Sequence, residues 1–304
     1  MTRLNDNLRG HLAMLCFSAL IAGSFSLGSR SASFIDPGAL NAARFALAAA
    51  ITGSMALATR AKWKGAYQAP WRFAVLGLLL ALYFVLMFEG LKTAAPVSAA
   101  SVFTLTPLMA AGFGWLLMRQ RMTGRMAFAL VLGGIGALWV IFRADWQALL
   151  AFNVGRGEFI YFWGCAAHAL YTPMIRYLNR GEPAIVFTFA IMSAGCLILT
   201  GWSWSAIAAT DWTSLPAIVW ITLVYVAVFA SGVTFLLLQY ASMRLPAAKV
   251  MAYTYLTPSW VLLWELALAR TVPPLMVLIG MGITLVALWL LLEDSAAKVS
   301  PSKP

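Results

Sequence analysis

Charged side chains are scarce in this 304-residue chain, at 10% of its residues, where an ordinary soluble domain carries about 25%. That shortage, beside 62% apolar residues and a mean hydropathy of +0.85, excludes a water-soluble globule. Acidic residues are the rarest charge, with 10 Asp and Glu against 21 Lys and Arg. The resulting net charge of +11 is not a nucleic-acid footprint, because the basic residues sit between apolar runs and form no polar, aromatic-interleaved face. Histidine occurs twice, as His11 and His168. With no His-Glu-x-x-His and no cluster of ligands, neither a metal site nor a cofactor is expected. The three cysteines, Cys16, Cys165 and Cys196, all lie in apolar runs. Their odd count and lack of ligand spacing exclude a disulfide framework and leave them as small apolar fillers. No glycine-rich loop is followed by Gly-Lys-Ser/Thr, so ATP drives nothing on this chain directly.

What is abundant is long apolar sequence. A helix needs about 20 apolar residues to cross the hydrocarbon core. Ten such runs are read here: 11–29, 37–58, 70–91, 95–118, 124–142, 157–177, 183–203, 213–242, 246–269 and 273–293. Turn chemistry or charge separates most of them, as at Asp36-Pro37-Gly38, Arg119 to Arg125 and Pro273-Pro274. Arg3 and Arg9 before the run Leu12 to Leu27 resemble a signal peptide, but nine further runs demand a membrane anyway, so the segment reads as an uncleaved first helix. With residues 1–10 in the cytoplasm, fifteen Lys and Arg fall inside; outside lie only Arg30, Lys92, Arg143, Arg156 and Arg270, and Arg44 lies within the second run. That bias has the sign expected of a plasma-membrane protein with both termini cytoplasmic. The tail 294–304 is polar and reads as a disordered cytoplasmic extension.

The chain also repeats itself. Leu105-Thr106-Pro107 in the fourth run matches Leu256-Thr257-Pro258 in the ninth, and Gly134-Ile135-Gly136 matches Gly280-Met281-Gly282. Each glycine pair is followed by Ala-Leu-Trp, at Ala137 to Trp139 and Ala287 to Trp289. The expected organisation is a first five-helix repeat over 11–142, a periplasmic connecting loop over 143–156, and a second repeat over 157–293. Five spans per repeat is an odd number, so the second repeat enters the bilayer inverted. Such pairs of halves are a recurrent transporter architecture, with the substrate near the midplane between them. The two prolines remove a backbone donor about 12 residues into their spans, roughly mid-bilayer at ~1.5 Å per residue. Thr106, Pro107, Thr257 and Pro258 are therefore either hinges at a cavity or packing kinks.

This pattern resembles the EamA-type members of the drug/metabolite transporter superfamily, over most of the chain. Arg44 resembles an arginine those members often carry after their first loop, and Ala169-Leu170-Tyr171-Thr172 resembles a stretch of their second repeat's first helix. Ala22-Gly23-Ser24 keeps the glycine and serine of a Trp-Gly-Ser-like step without its tryptophan. The glutamates expected after the fourth and ninth spans are replaced, by Gln120 and by Ala269 beside Arg270. The resemblance implies an all-α polytopic protein that exports small metabolites, often amino acids or related compounds, from the bacterial cytoplasm.

Ionisable residues inside spans are functional candidates by default. Arg44 either meets a substrate carboxylate or pairs with Asp36, a helix carbonyl or the outer interface. His168, midway along the sixth span, either binds substrate and couples transport to protons or bonds a neighbouring helix. Glu265 and Glu89 are either proton-accepting carboxylates or, for example, partners of Arg44 or Arg270. Gln239 is a polar contact or interhelical glue. Of the abundant aromatics, Phe103, Tyr253, Tyr255 and Trp264 lie near the prolines. Tyr83, Trp163 and Tyr171 fall on spans that line a central cavity in the resembling family. Each either contacts solute or packs helices. Gly133, Gly134, Gly136, Gly280 and Gly282 suit close helix contact within the bundle or at a homodimer face.

The expectation is thus a secondary transporter, not an enzyme. It moves an amino-acid-like or drug-like solute by alternating access, in the export direction. The alternatives are an importing permease of the same fold, an intramembrane enzyme built on Ser231-Gly232 and His168, and a non-transporting scaffold. Its partners are the solute, membrane lipid and, if His168, Glu265 or Glu89 titrates, a proton; no nucleic acid is expected.

Overall fold

The computed structural model describes residues 2–61, 63, 68–119, 123–142, 145, 147, 150, 154–245, 247–268 and 275–293. Among these every regular element is helical. The tail 294–304, Gln120, Ala269, Arg270 and most of the loop 143–156 lie outside the described residues.

The helices are α1 (Thr2–Ser31), α2 (Pro37–Ala58), α3 (Trp71–Gly90), α4 (Pro96–Phe103), α5 (Thr106–Met118), α6 (Gly124–Ile141), α7 (Arg156–Leu178), α8 (Ala184–Trp202), the short α9 (Trp204–Ala209), α10 (Ala217–Ala227), α11 (Thr234–Ser242), α12 (Ala247–Ala252), α13 (Thr257–Leu268) and α14 (Leu275–Glu293). A π-helical segment, Val228–Val233, joins α10 to α11, and a 3-10 turn, Tyr253–Leu256, joins α12 to α13. Seven continuous or nearly continuous helices among the described residues are long and apolar enough to cross a membrane. The last apolar stretch, Val277–Leu292, falls short by length.

Local chemistry sets the breaks. Asp36 begins α2: its Oδ1 accepts from the Gly38 and Ala39 amides at 2.8 and 3.1 Å, and Pro37 supplies a first-turn residue with no amide to satisfy. Thr123 caps α6 by accepting from the Met126 amide at 3.2 Å. Each Thr-Pro pair opens a new helix: Thr106-Pro107 starts α5 and Thr257-Pro258 starts α13. In the middle of a helix, proline would leave a carbonyl unpaired; at a helix start it costs nothing.

Helix α2 packs on α8, α3 on α7 and α8, and α6 on α14, while α1 packs against α10, α11 and α13, α5 against α7, and α4 against α13. Glycines permit the closest crossing. A Cβ on Gly136 would sit 2.8 Å from the Gly280 carbonyl oxygen, and one on Gly280 would sit 2.8 Å from that of Gly136. Only backbone fits there, so α6 and α14 touch main chain to main chain. Gly133 faces the Tyr255 ring, Gly134 makes ordinary contact with leucines, and a Cβ added at Gly282 would meet nothing within 4 Å among the described residues.

The outer surface is apolar. Leu57, Trp115, Leu116, Leu197, Ile279 and Trp289 are all exposed. In water, patches of that kind would associate; around a bundle of apolar helices they are the lipid-facing side. The interior carries the polar residues, including Arg44, Arg72, His168 and Ser231.

Candidate functional site

The site is built where the regular helix fails. The π-helical segment Val228–Val233 widens one turn, and single π turns of this kind recur at functional positions. Arg44 on α2 reaches this turn. Its Nε donates to Ser231 Oγ at 2.8 Å, and its Nη2 donates to the Ala230 carbonyl at 2.9 Å. The guanidinium carbon lies 3.4 Å from the centre of the Phe84 ring, a cation–π contact in a dry setting. The side chain is wholly buried, and Nη1 has no hydrogen-bond partner among the described residues.

Around Arg44 lies a central cavity with a volume of ≈ 20 Å³, lined by residues of α1, α2, α3, α4, α7, the π-helical turn and α11. That is room for about one water. Its walls include Phe25, Tyr83, Phe84, Phe103 and Phe235, with His168, Ser24 and Arg44 as polar members. The Tyr83 ring centre stands 4.5 Å from that of His168 and 4.6 Å from that of Phe84, and Phe103 stands 5.5 Å from His168. Tyr161 donates to the Tyr83 hydroxyl at 3.2 Å, which fixes the Tyr83 ring. His168 Nδ1 and Ser24 Oγ, like Arg44 Nη1, are buried without a partner among the described residues.

Of the residues singled out from sequence, Arg44, Tyr83, Phe103 and His168 therefore come together. Tyr171 adjoins them, its ring 6.0 Å from His168 and packed edge-on against Phe235. Trp163 does not join: it is 56% exposed and stacks with Phe159 and Phe162 on the outside of α7. Trp264 packs against Tyr225. Tyr253 bonds His11 Nδ1 at 2.9 Å, and Tyr255 donates to the Leu130 carbonyl at 3.4 Å, between α13's leading turn and α6.

Glu265 pairs with Arg30 and not with Arg44; Arg270, also weighed for it, lies outside the described residues. Arg30 Nη1 and Nη2 grip its two carboxylate oxygens at 3.0 and 3.4 Å, tying α1 to α13. Glu89 accepts from Lys92 at 2.6 Å on an exposed helix end. Asp36 is engaged by the α2 amides instead of by Arg44. Of the three proton-coupling candidates, only His168 lines the cavity.

A second, wider space opens near the ends of α7 and α11, away from the Arg30–Glu265 pair. This vestibule has a volume of ≈ 770 Å³ and is lined in part by Met118, Thr172, Arg176, Gln239 and Arg244. Gln239 there accepts from Thr188 at 3.4 Å, an α11–α8 contact. At its edge Glu182 is bound by Arg72 at 2.7 Å and by the Arg180 amide at 2.7 Å. Burial opposes the Glu182 charge, but those hydrogen bonds and the Arg72 guanidinium outweigh it and hold the carboxyl below its ordinary range.

Sequence reasoning missed Phe84 as the cover of Arg44, Ser231 as the hydrogen-bond partner of Arg44, and the Arg72–Glu182 pair. Ser231-Gly232 was weighed only with His168, as part of an intramembrane enzyme. Nothing in the sequence separated Phe84 from its neighbours.

The comparisons agree with this architecture. A relative in Bacillus subtilis (strain 168), described as the uncharacterized transporter YyaM, is 25% identical over 296 residues, 96% of this chain and 96% of its own. A protein of known crystal structure superimposes with a TM-score of 0.70 at 20% identity, over 97% of this chain and 99% of that one, which is a likeness of fold. The model of the EamA-like transporter family matches residues 8–142 and again residues 155–293. The chain is a multi-pass membrane protein and belongs to the EamA-like transporter family.

Proposed function

We propose that this transporter exports a small metabolite across the bacterial inner membrane by alternating access, using ten spans arranged as two inverted halves with both termini in the cytoplasm. The observation that carries this reading is the packing pattern. Let α1, α2, α3, α4–α5 and α6 correspond in order to α7, α8, α10–α11, α12–α13 and α14. Exchanging the two sets maps the main contacts onto one another. The α2–α8 and α6–α14 pairs map to themselves, α4–α13 becomes α12–α5, α3–α7 becomes α10–α1, and α5–α7 becomes α13–α1. The family model's two matches, one per half, support the same duplication.

The two ends of this dyad differ, and that difference supports alternation. Between α1 and α13 the end is latched by Arg30 and Glu265. The corresponding end, between α7 and α5, is where Arg176 and Met118 line the open vestibule. In the topology read from the charge bias, the latched end is periplasmic and the open end cytoplasmic. The central site lies between, with Arg44, Tyr83, Phe103 and His168 as its contacts to solute. Counterflow of radiolabelled metabolites in proteoliposomes, with reporter fusions at both termini, tests the proposal. Termini on opposite faces, or no solute exchanged from a broad panel, would refute it.

A further inference from the structure

The central site holds a buried cation with no acidic partner among the described residues. The cavity's lining contains no aspartate or glutamate, and the acidic residues of the helix ends are engaged elsewhere: Glu265 by Arg30, Glu89 by Lys92, Glu158 by Ser98 and Glu182 by Arg72. A guanidinium has five donor hydrogens. Here Nε and Nη2 each donate once, and Nη1 donates to nothing described. Buried charge without a counter-charge is expensive unless something else supplies one. Two further polar groups on separate helices, Ser24 Oγ and His168 Nδ1, line the same cavity without partners. The rest of the wall is mostly aromatic, completed by Ile21, Met87, Ala230 and Thr234.

Resting on the transport reading above, we propose that the substrate is a small organic monoanion, its carboxylate on Arg44 Nη1 and its apolar body against Tyr83, Phe84 and Phe103. Arginine is the side chain best shaped for a carboxylate. An ammonium group would find no acidic side chain in this lining, so a cation or a zwitterionic amino acid fits worse than a plain carboxylate. Ser24 and His168 can meet a hydroxyl or oxo group beside the carboxylate. The present cavity is closed around roughly one water, so the anion enters as α7 and α11 part. The route is short. Thr172, on the vestibule wall, donates to the His168 carbonyl at 3.0 Å, one helical turn from the cavity. The vestibule carries Arg176 and Arg244, which favour an anion's approach. The inside-negative potential of a cell then drives such an anion outward with no coupling ion.

The test uses the full chain in lipid nanodiscs and isosteric probes: phenylacetate, its neutral amide phenylacetamide, phenethylamine and phenylalanine, with benzoate and 4-methyl-2-oxopentanoate as further carboxylates. Calorimetric titration is expected to give carboxylates tighter than the amide by roughly 10- to 100-fold, the worth of one charged hydrogen bond, with the amine weakest. Arg44→Gln is expected to erase the preference. If that variant does not fold, Ser24→Ala is expected to weaken 4-methyl-2-oxopentanoate while leaving carboxylate over amide intact. Amide and carboxylate binding alike, an amine binding best, or no carboxylate binding at millimolar concentration overturns the assignment. In proteoliposomes, carboxylate efflux is expected to rise with an imposed inside-negative potential. Flux of neutral solutes or cations but no carboxylate would sink the anion and spare the transporter; carboxylate binding without any flux would do the reverse.

Discussion

Replacing Glu265 by glutamine should unlatch the end that the proposed topology places in the periplasm. The ion pair joins α1 to α13 with both guanidinium nitrogens on both carboxylate oxygens, at 3.0 and 3.4 Å. Its side chains are 30% and 12% exposed, so solvent screens it more than the interior but less than an open surface pair. A hydrogen bond to a charged group contributes about 1.5–3 kcal/mol, and partial exposure argues for the lower half of that range. If the pair exists only in the inward-facing state, its loss shifts the inward–outward equilibrium by roughly tenfold, the equivalent of about 1.4 kcal/mol. The shift is readable by thiol chemistry. In a background with Cys16, Cys165 and Cys196 replaced, Ser24→Cys places a reporter on the cavity wall, where Ser24 is buried. A membrane-impermeant maleimide added from outside should label Glu265→Gln cells about tenfold faster than cells with Glu265 intact. Labelling from the cytoplasmic face of inverted vesicles should slow. An unchanged outside rate, in a variant that still inserts, would show that the pair is ornament on a helix contact and latches nothing.

Two further outcomes concern stability. Glu182 is held below its ordinary carboxyl range in the folded chain, so its contribution is present above about pH 4.5 and is lost as pH falls through the folded value. Glu182→Gln should therefore flatten the acid limb of a pH–Tm profile in detergent; a limb unchanged in steepness would contradict the assignment. Gly136→Leu should force α6 from α14, because its Cβ alone would meet the Gly280 carbonyl at 2.8 Å. Overpacking of this kind costs about 1–3 kcal/mol, and a Tm equal to that of the unsubstituted chain would show that the crossing is looser than drawn.

Helix placement was legible because its causes are local. Asp36-Pro37 announces the start of α2, and the structure begins α2 at Pro37. Thr106-Pro107 and Thr257-Pro258 marked discontinuities, read as hinges or packing kinks, and in the structure each begins a new helix. The site was legible only in part. Arg44 and His168 stood out because ionisable groups are rare in such runs, and both line the cavity. Which way Trp163 faces was not legible, because α7 carries aromatics on both faces and the sequence does not say which face meets lipid. The Glu265 contact with Arg30 was not legible because the two lie 235 positions apart, and no short-range pattern links them.

Composition, hydropathy and turn chemistry alone determined that this chain is helical and lives in lipid, since both follow from each residue's own preference for water or hydrocarbon and from the backbone limits of proline. Tertiary structure decided which buried groups meet. It set Arg44 against Ser231 and Phe84, closed one end with Arg30 and Glu265, and left the other open. Those pairings depend on helix rotation and crossing, which are fixed by many weak contacts between distant segments rather than by any residue's local preference.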